Sequence, residues 1–235
     1  MAATTPPSTK SAPLGRLVRF DGAERFVHWS TALLVGALFA TGAILYIPSL
    51  SETVGRRLLI ANIHTYCGIA LFVPLLVALA GPWGAGLRRD LQRAGRLSYP
   101  EWRWLRRLGQ VEVRLGKFNP GQKLNTVLLG SGLTVLLASG LVLRFPGPFS
   151  LNWRSGATFV HDWFALGIVI LVAGHVTFAL SHPEALRAMV RGWVTRSWAR
   201  THAPRWLAEE VGEEESDRSP AATTAANVSP TSEQT

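Results

Sequence analysis

The sequence predicts an all-α membrane protein, a four-helix transmembrane bundle with both termini cytoplasmic. Three observations carry this. Four apolar runs are each long enough to cross a bilayer, basic residues gather on alternate connections, and four of the six histidines lie inside the runs.

Crossing the hydrocarbon as a helix takes about 20 mostly apolar residues. The qualifying runs are Phe26–Ile47, Ile60–Ala80, Leu124–Leu143 and Phe159–Leu180. Asp162 is the only formally charged residue within them. Composition agrees: 17% of residues are charged, where a soluble domain is nearer about 25%. The tails, 1–14 and 209–235, are rich in Ala, Thr, Ser, Pro and Glu and lack apolar periodicity. They are expected to be disordered, leaving 15–208 as one folded unit. The first run begins after residue 25 and further spans follow, so it reads as a span and not as a cleavable signal peptide.

Direction follows from the basic residues. Lys10, Arg16, Arg19 and Arg25 precede the first span. Ten more lie between the second and third, from Arg88 to Lys123, and five follow the fourth, from Arg187 to Arg205. That places 19 of the 24 on one side, against Arg56, Arg57, Arg144 and Arg154 on the other. The net charge of +9 is therefore a matter of topology, and nucleic acid is not an expected partner.

Pro48, Pro82 and Pro146 mark span ends, and Pro74 should kink the second span. The segment SYPEWRWLRRLG mixes Trp102, Trp104 and Leu105 with arginines and predicts an amphipathic helix at the interface. Small residues recur inside the spans, among them Gly36, Gly42, Gly68, Gly132, Gly140 and Gly174. They suit close helix packing, or room for a flat macrocycle, and the two readings are compatible. The single cysteine, Cys67, admits no intrachain disulfide and is expected to pack in the apolar interior. No C-x-x-C-H occurs, which excludes covalent haem attachment.

The histidines are the candidate functional residues, because an ionisable side chain within a membrane is costly and marks function. Given the predicted topology, His28 lies near the cytoplasmic end of the first span and His64 near the outer end of the second. His161 lies near the outer end of the fourth span. His175 is fourteen residues further in, roughly 21 Å along the helix and within about 40° of the same face. Depth therefore sorts them into two pairs, His64 with His161 and His28 with His175. A bis-imidazole pair on facing helices suits a b-type haem engaged in electron transfer. Zinc would need three or four ligands gathered in one place. His182 and His202 fall outside the spans and are expected to anchor at the interface.

RFVHW, NIHTYCGIALF, GKFNPGQKLN, HDWFALGIVILVAGHV and GWVTRSWARTHAPRW together resemble the gamma subunit of membrane-bound respiratory formate dehydrogenases, a cytochrome b of the b556 type. The likeness runs from about Arg19 to Glu210. It implies a bacterial inner-membrane, multi-pass subunit of an oxidoreductase complex in anaerobic respiration. An alpha subunit containing molybdenum or tungsten would oxidise formate, and an iron–sulfur beta subunit would relay electrons. The gamma subunit would pass them through two non-covalent, bis-histidine haems b to menaquinone or ubiquinone. The ligands carried over are His64 and His161 for the outer haem and His28 and His175 for the inner one. The implied quinone pocket lies at the cytoplasmic end, on Asn119, Gly121 and Gln122.

Pro120 and Gly121 read locally as a turn. Backbone N–H groups and the two amide side chains there suit a quinone carbonyl, or simply cap the third span. Lys117 and Lys123 compete for the same role or serve as anchors. Arg25 is the candidate partner for an inner haem propionate, and Arg56, Arg57 and Arg154 for an outer one. Inward electron flow with cytoplasmic proton uptake would make the protein half of a proton-motive redox loop. The outer connections are short, which leaves docking of the iron–sulfur subunit to helix ends. Two other readings compete. One is the cytochrome b of a hydrogenase or thiosulfate reductase. The other is a proton-coupled transporter, disfavoured by the absence of a mid-span charge and of an inverted repeat.

Overall fold

The computed structural model describes residues 15–110 and 113–218. The predicted tail 1–14 and residues 219–235 lie outside the described residues.

Four helical segments are long and apolar enough to cross a membrane: Gly22–Tyr46, Arg57–Ala80, Pro120–Arg144 and Leu151–Ser181. Helix α1 (Gly22–Tyr46) begins at a reciprocal cap, in which Asp21 accepts from the Glu24 backbone and Glu24 from the Asp21 backbone. A short helix α2 (Pro48–Val54) follows directly and ends on Gly55, whose φ of 64° allows the reversal. The second span is broken, as Pro74 predicts. Helix α3 (Arg57–Ala70) stops before Leu71 and α4 (Val73–Ala80) restarts with proline in its first turn.

The connection before the third span holds α5 (Ala85–Ala94) and α6 (Tyr99–Arg106). Helix α6 is the predicted amphipathic segment; α5 was not anticipated. Helix α7 (Pro120–Arg144) packs along α8 (Leu151–Ser181), α1 packs along α3, and α3 touches α7. The bundle carries little buried surface. Only 11% of the most apolar window of α1 and 6% of that of α8 is buried, so most apolar side chains face outward. That distribution suits helices whose solvent is lipid.

The true hydrophobic core lies beyond one end of the bundle. Strands β1 (Arg16–Val18) and β2 (Trp193–Thr195) pair antiparallel, with Leu17 opposite Val194. Helices α9 (Pro183–Arg191), α10 (Arg196–His202) and α11 (Pro204–Arg218) fold around them. Leu17, Ala188, Val194, Ala199, Ala203 and Trp206 form the buried cluster. This cap corrects the purely helical expectation: a two-stranded sheet closes the chain between residues near its two ends. Residues 209–218, read from sequence as tail, continue helix α11.

Candidate functional site

His64 on α3 and His161 on α8 face each other at the end of the bundle remote from the cap. Their ring centroids are 6.3 Å apart. Each ring is held by a hydroxyl from a third or fourth helix. The Thr41 hydroxyl lies 2.9 Å from His64 Nδ1 and donates its single proton to the Ala37 carbonyl at 2.7 Å. With that proton so used, the hydroxyl accepts from the imidazole, and this network assigns the proton to Nδ1 and the lone pair to Nε2. Ser139 repeats this, 3.0 Å from His161 Nδ1 while donating to the Val135 carbonyl at 2.8 Å.

Glycine follows each hydroxyl residue. A Cβ on Gly42 would stand 3.5 Å from His64 Cε1, and one on Gly140 would stand 3.2 Å from His161 Cε1. The rings thus lie over bare backbone. Between the helices is a cavity of about 1040 Å³ whose walls include both histidines, Leu38, Gly68, Leu136 and Arg57. Arg144 also lines it, a basic residue whose sequence position speaks only to topology. Of the other predicted partners at this end, Arg56 and Arg154 are exposed.

His28 on α1 and His175 on α8 meet at the cap end, with ring centroids 6.2 Å apart. Trp29 packs edge-on against His28 at 5.0 Å and donates from Nε1 to the Met189 carbonyl. His28 Nδ1 is buried without a protein partner, and so is Arg25 Nε. The Arg25 side chain runs past Gly192, where a Cβ would stand 3.3 Å from Nη1.

Asn119 and Gln122 are tied to one another. Asn119 Oδ1 accepts from the Gln122 backbone at 2.8 Å, and Gln122 Oε1 accepts from the Asn119 backbone at 3.0 Å. Pro120 and Gly121, read as a turn, form the first two positions of α7. Proline suits that place because the first helical N–H has no intrahelical partner anyway. The cap uses the two amide oxygens, so neither NH₂ group is consumed by it.

The two lysines of this motif are engaged elsewhere. Lys117 Nζ lies 3.2 Å from Glu24 and 2.5 Å from Asp90, and Lys123 Nζ lies 2.6 Å from Glu101. Arg19 donates from Nη2 to the Lys117 carbonyl, and burial pulls its guanidinium down to about 10 against the opposing field of Asp90. His182 and His202 remain apart from both pairs, each bonded to the carbonyl four residues earlier and stacked on that residue's ring. Among the described residues, no three His, Cys, Asp or Glu side chains gather as a metal cluster.

Residues 19–192, which include all four paired histidines, match the family model of the prokaryotic cytochrome b561 proteins. The chain belongs to that family. As a cytochrome b561-type protein it is a membrane protein, and its family implies haem b. This cytochrome is also 26% identical to the formate dehydrogenase cytochrome b556(fdo) subunit of Escherichia coli K12, over 82% of this chain and 92% of the relative. It is 26% identical to the formate dehydrogenase cytochrome b556 subunit of Haemophilus influenzae, over 83% and 84%. The nitrate-inducible cytochrome b556(Fdn) subunit of Escherichia coli is similar at 26%, over 82% and 91%.

The residues of the cytochrome can be tested against haem directly. A metal–imidazole bond is about 2.0–2.1 Å, so two imidazoles in trans on one iron hold their centroids roughly 6–6.5 Å apart once each ring's radius is added. Both pairs have that spacing. At the far end the free nitrogens, the bare glycine backbones and the cavity also suit a flat macrocycle. The residues fit the group.

Proposed function

We propose that this cytochrome b is the membrane anchor of a formate dehydrogenase, carrying electrons from an iron–sulfur partner to a membrane quinone. His64 and His161 hold one haem b near the outer surface, and His28 and His175 hold a second near the cytoplasm. The observation that carries the reading is the pair of facing imidazole couples, with centroids 6.3 and 6.2 Å apart, at opposite ends of one helix, α8. Likeness to three formate dehydrogenase cytochrome b556 subunits over most of the chain supports the partner class. An alpha subunit with molybdenum or tungsten and an iron–sulfur beta subunit would complete the complex.

Haem b held by these imidazoles would supply reversible one-electron transfer. The chain's own residues do the rest. Thr41 and Ser139 fix the tautomer and orientation of the outer ligands. Arg57 at the cavity wall and Arg25, one turn before His28, would meet propionates. Asn119 and Gln122 orient their amide donors toward a quinone carbonyl, while the free N–H of Gly121 at the start of α7 adds a third donor. The quinone is menaquinone or ubiquinone.

The positive-inside rule supports a cytoplasmic cap with both termini inside, in the bacterial inner membrane. Electrons then enter at the His64–His161 end and leave at the His28–His175 end, against protons drawn from the cytoplasm. Each charge moved over 100 mV corresponds to about 2.3 kcal/mol.

A pyridine haemochrome assay with a reduced-minus-oxidised spectrum tests the haems, with two haems b per chain expected. Formate-driven quinone reduction in membrane vesicles should generate a membrane potential. A colourless protein made with ample haem, or quinone reduction without charge movement, would overturn the reading.

A further inference from the structure

Three buried charges meet beside the start of α7. Lys117, Glu24 and Asp90 have relative exposures of 9%, 7% and 6%. They come from three separate segments: the lead into α7, the first turn of α1, and α5. We propose that Glu24, Lys117 and Asp90 form a proton relay from the cytoplasmic surface to the quinone oxygen, an inference that rests on the quinone-reducing reading above.

The relay is continuous with the surface. Asp90 Oδ1 lies 3.4 Å from Arg93 Nη1, Arg93 Nη2 lies 3.9 Å from Glu209, and Glu209 lies 3.0 Å from Arg205. Side-chain exposure rises along that order, from 8% at Asp90 to 30% at Arg93, 39% at Glu209 and 64% at Arg205. A charged path therefore leads from water into the interior. It ends beside the segment that leads into the proposed quinone site. Glu24 is one turn before His28, and Lys117 is two residues before the capping Asn119.

A purely structural role does not account for this cluster well. Burying ions costs desolvation that their attraction barely offsets, and apolar side chains of the same volume would join the three segments as firmly. Buried ionisable groups close to a reaction centre are where proton chemistry is expected. Arg19 adds an independent observation. It is 4% exposed, it donates from Nη2 to the Lys117 carbonyl at 3.0 Å, and its Nε and Nη1 have no protein acceptor. The junction thus offers polar donors able to hold water, which links stations too far apart for direct transfer.

The chemistry balances. One quinone takes two electrons through the haem pairs and two protons through this path to become a quinol. For each proton, a carboxylic O–H of Glu24 breaks as an O–H forms on the quinone. Lys117 then returns a proton to Glu24 and is recharged from Asp90, which takes its own from water at Arg93. The cluster ends each cycle with the charge it began with.

The test uses the complete complex in membranes, with Glu24→Gln and Asp90→Asn, and short-chain menaquinone and ubiquinone analogues as acceptors. Both variants should keep their haem and be reduced by formate at the wild-type rate. Quinone reduction should fall by about a hundredfold, the low side of general acid catalysis, and its solvent deuterium isotope effect should grow. Unchanged quinone reduction and isotope effect in both variants would overturn the relay. If a variant loses haem, the wild-type complex decides. Its infrared difference spectrum on quinone reduction should contain a carboxylic-acid C=O band that shifts in D₂O, and absence of any such band overturns the relay. Failure of wild-type haem to be oxidised by added quinone is a different result: it removes the acceptor reading itself, and the relay with it.

Discussion

The two histidine pairs have nearly the same spacing and different surroundings. At the outer pair, two helices each present a hydroxyl residue followed by glycine to one ring: Thr41–Gly42 on α1 to His64, and Ser139–Gly140 on α7 to His161. The arrangement is close to two-fold, and it orients both imidazoles. At the cap-end pair the described residues supply no such frame. His28 Nδ1 is buried without a partner, Trp29 backs the ring, and charged residues of α5 and the α7 lead-in gather one turn away. The difference assigns different work to two sites of like geometry. The outer rings are each held by a hydroxyl, which suits the electron relay proposed for them. The inner site is flanked by polar groups, as a site coupled to protons should be.

The largest effects should come from the proposed ligands. His64→Ala and His161→Ala should each halve the haem content, and the double variant should lose no more than either single one. His28→Ala and His175→Ala should remove the other haem. Haemochrome counts with difference spectra check this, and loss of different haems from His64→Ala and His161→Ala would break the pairing. Next come the glycines. Gly140→Ala puts a methyl 3.2 Å from the His161 ring, whereas Gly42→Ala puts one 3.5 Å from His64, which is ordinary contact. Overpacking costs about 1–3 kcal/mol. Gly140→Ala should therefore lower the thermal midpoint of haem release, and Gly42→Ala should leave it nearly unchanged. Equal effects would show that the near-symmetry extends to packing tolerance as well.

Much of this was legible in the sequence because helical geometry is regular. Fourteen residues separate His161 from His175, which fixes their depth and face by arithmetic alone. Glycine was legible only as small. Sequence does not say that Gly42 and Gly140 face imidazoles while Gly36 and Gly174 face open space. The signal was present in the Thr-Gly and Ser-Gly dipeptides inside spans, but their partners lie 23 and 22 residues away. The strands were illegible because three residues carry no periodicity and Leu17 pairs with Val194 from the far end of the chain. Lys117 was read as an anchor or quinone donor because Glu24 and Asp90, distant in sequence, could not be brought to it without the fold. Pro120 was rightly a boundary, but of a helix start and not of a turn.

A smaller effect probes the hydroxyl frame. An imidazole that donates from Nδ1 is a more basic ligand and stabilises the oxidised metal. Thr41→Val removes the acceptor at His64 and should raise the potential of the outer haem. One hydrogen bond is about 0.5–1.5 kcal/mol, which converts to tens of millivolts, since about 59 mV is a tenfold change for one electron. Ser139→Ala should do the same through His161, and neither should move the inner haem. Redox titration followed optically gives both potentials. If both haems shift together, the two sites are not independent, and the contrast in their surroundings does not set their potentials.

The smallest effect concerns how the cap end is fastened. Lys123 at the start of α7 pairs with Glu101 of α6 at 2.6 Å, and Ser98 donates to the same carboxylate. Burial alone would raise the Glu101 carboxyl, but the hydrogen bonds from Lys123 and Ser98 outweigh it and hold the group below the ordinary carboxylate range. A depressed carboxyl contributes stability above its unfolded value and loses it as pH falls through the folded one. Acidification from neutral pH to below the ordinary carboxylate range should therefore loosen α6 from α7. The fluorescence of Trp102 and Trp104 reports this directly, since both lie on α6. Lys123→Met should move the change to higher pH, because the carboxyl then loses the partner that keeps it ionised. The spectrum of the outer haem should stay constant throughout, as the pair that titrates is at the opposite end of α7 from the residues that frame His161. A parallel change there would mean that the two ends of the bundle respond as one body, and would remove the division of work drawn between them.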